Sequence, residues 1–154
     1  MLTAKEIMTT EVMTVSPDTS ITEAAKLLLE KRINGLPVVD SQGQLRGIIC
    51  QSDLIAQQKQ LSLPSFVTIL DAMIPLSSYK NFEKQIQKIA ATTVMQAMTR
   101  EPITVKPGTS LEEIATLMVN KNIHTLPVID HGKLVGIIGK EDVLRTLMPG
   151  EESK

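Results

Sequence analysis

The sequence predicts an α+β fold in which two β-α-β-β-α units pack sheet to sheet with pseudo-twofold symmetry, with a helical segment between them. Three observations support this prediction. The chain repeats itself, each copy carries a helix-start signal followed by helical apolar spacing, and each copy then has two apolar runs separated by a turn. A unit of about 50 residues is marginal alone because it buries too little surface. The two copies are therefore expected to share one core.

The repeat covers most of the chain. The first copy starts IMTTEVMTVSPDTS and the second AMTREPITVKPGTS, and they stay aligned through the apolar runs LPVVD and LPVID. After a one-residue deletion in the second turn, GIICQSDL aligns with GIIGKEDV, and about half of all aligned positions are identical. The predicted organisation is repeat 1 over 1–56, a helical linker segment over 57–93, repeat 2 over 94–148 and a tail over 149–154.

Each copy opens with a short predicted strand that a proline ends. A capping box follows, in which a serine hydroxyl and a glutamate carboxylate each satisfy a free amide at a helix start. Two apolar strands joined by a turn then form a hairpin, and a last helix begins where the second strand ends. The predicted elements are strands 13–15 and 103–105, helices after Ser20 and Ser110, strands 36–39 and 126–129, strands 45–49 and 134–138, and helices from Gln51 and Lys140.

Composition excludes several function classes. A net charge of −1 and only three aromatic residues argue against a nucleic-acid partner. No apolar stretch is long enough to span a membrane, and the single cysteine, Cys50, fits a reducing compartment. A soluble, cytoplasmic protein is therefore expected. The sequence also lacks a nucleophile with a base, paired acids or metal ligands at a workable spacing, so neither catalytic residues nor a metal site is predicted.

The doubled set of motifs resembles a tandem cystathionine-β-synthase (CBS) domain pair. The resemblance is carried by the MT…TV.P..S start, the LPVVD or LPVID strand and the GII...D ending, each present twice in the same order. It implies a regulatory module that binds AMP, ADP, ATP or S-adenosylmethionine in the grooves between the copies and passes occupancy to an unidentified regulated protein. No cofactor is required. A ligand-independent dimeric interaction scaffold is the alternative.

The resemblance also implies which residues contact the ligand. Asp53 and Asp142 would accept hydrogen bonds from the ribose hydroxyls, while Cys50 and Gly139 replace the hydroxyl residue usual in the family. The other implied contacts are Gln51, Ser52 and Lys140 at the helix starts, Asn34, Gly35, Leu36, Pro37, His124, Thr125, Leu126 and Pro127 at the strand starts, and Thr14, Thr19, Thr104 and Thr109 at the groove mouths.

The residues themselves leave a second interpretation of the two aspartates open. Each stands at the third position of a helix, where its carboxylate can satisfy the amide at the helix start. The threonines near the groove mouths can likewise be turn residues, and Arg32 a solvated surface charge. If the groove is functional, the Asp142 side is expected to favour phosphorylated ligands, because Lys140 stands where the first copy has the neutral Gln51. Glu141 is expected to face solvent.

The apolar helical stripes predict at least a homodimer. One small pair cannot bury all of these stripes, which lie around Leu28-Leu29 and Met118-Val119 and at 66–73 and 79–89. Pairs of the resembling family also usually assemble two by two. Light scattering at micromolar concentration should therefore detect a dimer or a larger species, and a purely monomeric population would contradict the prediction.

Overall fold

The computed structural model describes residues 2–60 and 92–148, with the side chains of 58–60 not included. Most of the predicted linker, including both of its apolar stripes, and the tail 149–154 lie outside the described residues. The first copy contains α1 (Ala4–Ile7), α2 (Ile21–Lys31), β1 (Gly35–Val39), β2 (Leu45–Cys50) and α3 (Gln51–Gln60). The second contains α4 (Val94–Ala97), β3 (Thr99–Arg100), α5 (Leu111–Asn120), β4 (Thr125–Asp130), β5 (Lys133–Gly139) and α6 (Lys140–Arg145).

The long helices begin where the sequence predicts. The Ser20 hydroxyl accepts a hydrogen bond from the Glu23 amide at 3.2 Å, and Ser110 does the same for Glu113 at 3.2 Å. Each serine thus satisfies an amide that the helix itself leaves without a partner. The hydroxyl half of both predicted capping boxes is confirmed. Helix α2 then turns Ala24 and Leu28 into the core, as its spacing requires.

The predicted hairpins are confirmed and set up the later site. Strands β1 and β2 pair antiparallel with Gly35 opposite Cys50, and β4 and β5 pair with Thr125 opposite Gly139. Because the strands run antiparallel, the start of the first strand lies beside the end of the second. In each copy, this register brings the strand start next to the start of the following helix.

The predicted strands 13–15 and 103–105 are wrong in extent. Only Val15 and Val105 pair, each through a single parallel bridge to Val38 or Val128 of the hairpin. The chain turns immediately afterwards, where the Thr19 hydroxyl accepts a hydrogen bond from the Ser16 amide at 3.1 Å. That early turn leaves no room for a longer ladder.

The N-terminal segment of each copy packs on the other copy. We call residues 2–10 arm 1 and residues 92–100 arm 2. Arm 1 pairs with β5 through Thr9 and Ile137, whose amides each donate to the other's carbonyl at 2.8 and 3.0 Å. Arm 2 contributes β3, which pairs antiparallel with β2 of the first copy. The two arms therefore cross between the repeats.

This exchange divides the described apolar core into two clusters, in place of the one shared core expected. One cluster contains Leu28, Leu36 and Ile49 of the first copy together with Val94 from arm 2. The other contains Ile114, Leu126 and Ile138 of the second copy together with Ala4 from arm 1. Val94 and Ala4 are fully buried. Each packing unit therefore consists of residues from one sequence repeat together with the arm of the other.

The arms lie directly over a glycine in each hairpin. A Cβ at Gly47 would stand 2.6 Å from the Thr99 carbonyl oxygen and 2.8 Å from the Met98 sulfur of arm 2. A Cβ at Gly136 would collide with the Met8 side chain of arm 1. Only a residue without a side chain allows these close approaches.

We expect Gly47→Ala to destabilise the protein by about 1–3 kcal/mol, because the added methyl meets backbone that cannot move away alone. Gly136→Ala should cost less, since it meets a flexible methionine. Gly108→Ala is the matched control, since a Cβ there has nothing within 4 Å. Urea denaturation measures all three, and equal stability of Gly47→Ala and Gly108→Ala would contradict the crossed arrangement.

Candidate functional site

A cleft of about 400 Å³ lies between the two repeats. Both copies form it. The first copy and arm 1 contribute Thr9, Glu11, Met13, Lys31, Arg32, Ile33, Asn34 and Gly35, and the second contributes Thr125, Ile137, Gly139, Glu141, Asp142 and Arg145. Its volume falls within the range of about 300–1,000 Å³ typical of small-molecule sites.

The buried polar side chains of the described residues line this cleft. Within residues 2–60 and 92–148, the polar or charged residues classed as buried are Thr125, at 9% exposure, and Asp142, at 8%. Both line the cleft. Burying a polar group is costly unless it is hydrogen-bonded, so this concentration marks the cleft as unlike the rest of the interior.

The Thr125 hydroxyl has no hydrogen-bond partner within the part of the chain that the structure describes. It faces Gly35, the aligned residue of the first copy, since a Cβ built there would stand 3.3 Å from the Thr125 Oγ1. The two strand starts therefore meet across the boundary between the repeats. The second copy brings a hydroxyl to this point, and the first brings none.

Both aspartates cap the helices that they begin. Asp53 Oδ2 accepts a hydrogen bond from the Cys50 amide at 2.8 Å, and Asp142 Oδ2 accepts one from the Gly139 amide at 2.8 Å. The capping contact predicted as the second interpretation is thus present in both copies. It uses one carboxylate oxygen and leaves the other, Oδ1, for a different partner.

That second oxygen has a different partner in each copy. Asp53 Oδ1 accepts from the Thr99 hydroxyl of arm 2 at 3.0 Å. Asp142 Oδ1 accepts from the Arg145 guanidinium at 3.0 Å, an ion pair three residues apart on α6. A neutral hydroxyl therefore holds one carboxylate and a cation holds the other.

The cations that line the cleft are Lys31, Arg32 and Arg145. Lys140, which the sequence analysis singled out, is exposed and does not line this cleft. Arg32 is more than the solvated surface charge that the sequence analysis expected. Arg32 ends α2 with a left-handed backbone (φ 53°) and forms part of the cleft wall. Glu141 is exposed, as expected, and it also lines the cleft.

Arg32 and Arg145 carried no motif that could have flagged them. Arg32 follows the last turn of a helix and Arg145 lies on a short helix after the recognised ending. Both positions differ between the copies, which have Asn122 and Ala56 at the aligned places. Comparing charges between the two copies was the one available signal.

The other implied contacts divide into three groups. Asn34 and Gly35 line the cleft, and the Asn34 and His124 carbonyls accept from the Gln51 and Lys140 amides at 3.2 and 3.0 Å. These bonds tie each strand start to the following helix. The side chains at the next two positions are buried in the interior and do not line the cleft: Leu36, Pro37, Leu126 and Pro127. His124, Gln51 and Ser52 are exposed.

The four threonines assigned to the groove mouths lie outside this cleft. Thr14 and Thr104 are exposed. The Thr109 hydroxyl accepts from the Lys106 amide at 3.0 Å, which is the same turn contact that Thr19 makes in the first copy. The carbonyls of these two residues also accept from the arms, at Val94 and Ala4. Thr19 and Thr109 therefore act as turn residues that anchor the crossed arms.

Cys50 stands at the end of β2, close to Gly35 across the hairpin. Burial, followed by the neighbouring Asp53 carboxylate, raises the pKa of its thiol to about 11. The thiol is therefore protonated at neutral pH and a poor nucleophile. Within the described ranges, there is no group of three or more metal-ligating side chains, and no helix has the length and apolar character to cross a membrane.

The two copies have the same capping contact where their last helices begin, and the comparison with protein families also finds two copies. The CBS domain model matches twice, over residues 4–59 and 94–149. The chain belongs to the CBS domain family. The two matches follow the sequence repeats and give this chain a tandem pair.

Relatives resemble this pair over most of its length. CBSX2, a chloroplastic CBS domain-containing protein of Arabidopsis thaliana, is 34% identical over 87% of this chain, which spans 58% of that protein. Protein MJ1426 of Methanocaldococcus jannaschii is 31% identical over 94% of this chain and 90% of its own. The crystal structure of CBSX2 in complex with AMP matches with a TM-score of 0.71 and 31% identity, covering 96% of both chains. The CBS domain pair of protein MJ0100, solved with 5-methylthioadenosine and S-adenosyl-L-methionine, matches with a TM-score of 0.72 and 28% identity, covering 96% of this chain and 100% of that one.

We expect Cys50 to react slowly with iodoacetamide in the folded protein. A pKa about two units above that of an ordinary thiol lowers the thiolate fraction at pH 8 about a hundredfold, because only the thiolate attacks. The rate should rise steadily as the pH increases towards 11. Mass spectrometry of native and urea-unfolded samples measures the difference, and equal rates at pH 8 would show that the thiol is not suppressed.

Proposed function

We propose that this CBS pair is a regulatory module that binds an adenosyl ligand, such as AMP, ADP, ATP or S-adenosylmethionine, in the cleft between the repeats. Occupancy would be transmitted to a regulated partner protein. One observation carries the proposal: both buried polar side chains of the described interior line this cleft, and the Thr125 hydroxyl has no partner within the described residues. A ligand is the group that would satisfy it.

The lining residues suit the parts of such a ligand. The Asp142 carboxylate can accept from ribose hydroxyls, and the Thr125 hydroxyl can exchange a hydrogen bond with a polar atom deeper in the cleft. Lys31, Arg32 and Arg145 offer positive charge to a phosphate. The AMP complex of CBSX2 supports a ligand of this class, and the adenosyl compounds bound to the MJ0100 pair support it too.

We propose a second groove around Asp53 at the symmetry-related position. It would use the aligned groups at the strand start His124-Thr125, the helix start Cys50 to Ser52, and Thr104 at its mouth. Its charge differs, because Ala56 and Asn122 replace Arg145 and Arg32. This groove is therefore expected to favour less anionic adenosyl compounds.

Binding is proposed to occur without turnover. No hydroxyl that lines the described cleft is hydrogen-bonded to a carboxylate among the described residues that could act as its base, and the Cys50 thiol is protonated at neutral pH. A ligand held between two repeats would instead shift the balance between two arrangements of the pair, to the extent that it binds one more tightly. A reducing compartment such as the cytoplasm suits the single thiol.

A homodimer, acting as a ligand-independent scaffold, is the second candidate. Aligned apolar residues are exposed in both copies: Leu29 and Val119 at 75% and 78%, and Ile55 and Leu144 at 68% and 57%. Because each pair sits at the same place in the two repeats, a second copy could cover all four through a twofold axis. This assembly is compatible with the sensor and becomes the main function only if no ligand binds.

The Thr125 hydroxyl provides a direct test of the proposal. Thr125→Val keeps the shape of the side chain and removes a buried hydroxyl that has no partner among the described residues, so the unliganded protein should gain about 1 kcal/mol of stability. AMP affinity should fall about tenfold, because the lost hydrogen bond is made only to the ligand. Calorimetry gives the affinity and urea denaturation the stability.

Thr125→Ser is the matched control, since it keeps the hydroxyl and should keep most of the affinity. A panel of adenosyl compounds in a thermal-shift assay should first identify a binder, which adds about 2.7 kcal/mol of stability at 100 times its dissociation constant. If no member of the panel shifts the unfolding temperature, the scaffold function is favoured. If Thr125→Val leaves the affinity unchanged, the assignment of the hydroxyl is wrong.

A further inference from the structure

We infer that Arg145 is a built-in competitor for Asp142 that makes this cleft select phosphorylated adenosyl ligands over neutral ones. The inference rests on the proposed function, because it assumes that an adenosyl ligand binds here. It adds a residue with two states: paired with Asp142 when the cleft is free, and paired with the phosphate when the cleft is filled.

Both oxygens of the Asp142 carboxylate accept a hydrogen bond within the protein. Its Oδ2 is held by the Gly139 amide at 2.8 Å and its Oδ1 by the Arg145 guanidinium at 3.0 Å. The side chain is only 8% exposed, so few directions of approach to it are open. The guanidinium occupies one acceptor position of Oδ1, and a ribose hydroxyl that uses this position would displace Arg145.

Arg145 is placed to make this exchange. Its side chain is 64% exposed and lines the same cleft as Asp142. Water solvates the mostly exposed guanidinium when it leaves, and ribose hydroxyls would take its place at the buried Asp142 carboxylate. Separation therefore costs less when a ligand occupies the cleft. A guanidinium released from Asp142 also keeps its full charge, since arginine does not lose its proton in proteins.

The rest of the cleft determines where the released charge goes. Lys31 and Arg32 belong to the part of the lining that the first copy contributes, and Arg145 to the part that the second contributes. A phosphate between them would be contacted from both repeats. Glu11 and Glu141 also line the cleft and oppose an anion. Three cations and three carboxylates, including Asp142, line the cleft, so their charges cancel. When ribose hydroxyls replace Arg145 at Asp142, the released guanidinium becomes available to a phosphate.

A neutral ligand gains no contact of this kind with the released guanidinium. Adenosine would also displace Arg145 from Asp142, but it offers no anion to accept the guanidinium. The first copy lacks the device: Ala56 occupies the aligned position, and Asp53 Oδ1 is held by the neutral Thr99 hydroxyl. The competitor therefore belongs to one groove of the pair, and a change at Arg145 affects that groove alone.

The experiment measures adenosine and AMP binding to the wild-type protein and to Arg145→Ala by titration calorimetry. Arg145→Ala should bind adenosine about threefold more tightly, because the mostly exposed guanidinium no longer competes with ribose for Asp142. It should bind AMP about tenfold more weakly, because a charge-assisted contact to the phosphate is lost. Arg145→Lys should retain part of the AMP affinity. Arg46→Ala is the matched control, since Arg46 is an exposed arginine of β2 that does not line the cleft.

The inference is supported if Arg145→Ala shifts the affinities for the two ligands in opposite directions and Arg46→Ala leaves both affinities unchanged. Equal shifts for both ligands, or no shift for either, overturn it while leaving the proposed function intact. If the wild-type protein binds neither compound, this inference fails, and the panel of adenosyl compounds decides the proposed function separately. Circular dichroism of Arg145→Ala checks that the fold is kept, and Arg145→Lys provides the second reading if it is not.

Discussion

The crossed arms are the constraint on which the rest of this structure depends. Neither repeat completes its core alone: Val94 of the second copy fills the cluster of the first, and Ala4 of the first fills that of the second. Each arm then runs over a hairpin glycine and pairs with the strand beneath it. Because a small unit buries too little apolar surface to be stable, this exchange makes folding of one copy depend on the other. It also fixes the boundary at which the cleft forms.

A nearly symmetric fold carries an asymmetric site. The backbone contacts are repeated closely, from the serine caps to the aspartates that hold the helix starts. The differences are confined to side chains at the boundary, where Thr125 faces Gly35 and where an arginine holds one aspartate and a threonine the other. Capping therefore leaves one oxygen of each carboxylate for another partner. It fixes one oxygen of each carboxylate and points the second towards the boundary.

The position of the cleft explains how binding could have a remote effect. Its walls come from both repeats, so a ligand that contacts Lys31 or Arg32 on one side and Asp142 on the other would link two units that are otherwise joined by the crossed arms. Packed interfaces of this kind tend to have discrete arrangements and do not deform continuously. The exposed apolar residues on the helices, aligned in the two copies, lie on surfaces that such a rearrangement would reposition.

The sequence by itself determined the repeat, the fold class, the hairpins and the helix starts, because these follow from local patterns: alternating or continuous apolar runs, serine caps and turn residues. It also identified the two aspartates, since their motif is contiguous. Only the tertiary structure decided that the arms cross, that the cores are two, and that Arg32 and Arg145, and not Lys140, line the cleft. These features depend on which distant segments meet. Val94 packs in the first core, and Arg32 lines the same cleft as Asp142, although these residues are far apart in the chain. No local periodicity or spacing encodes such meetings.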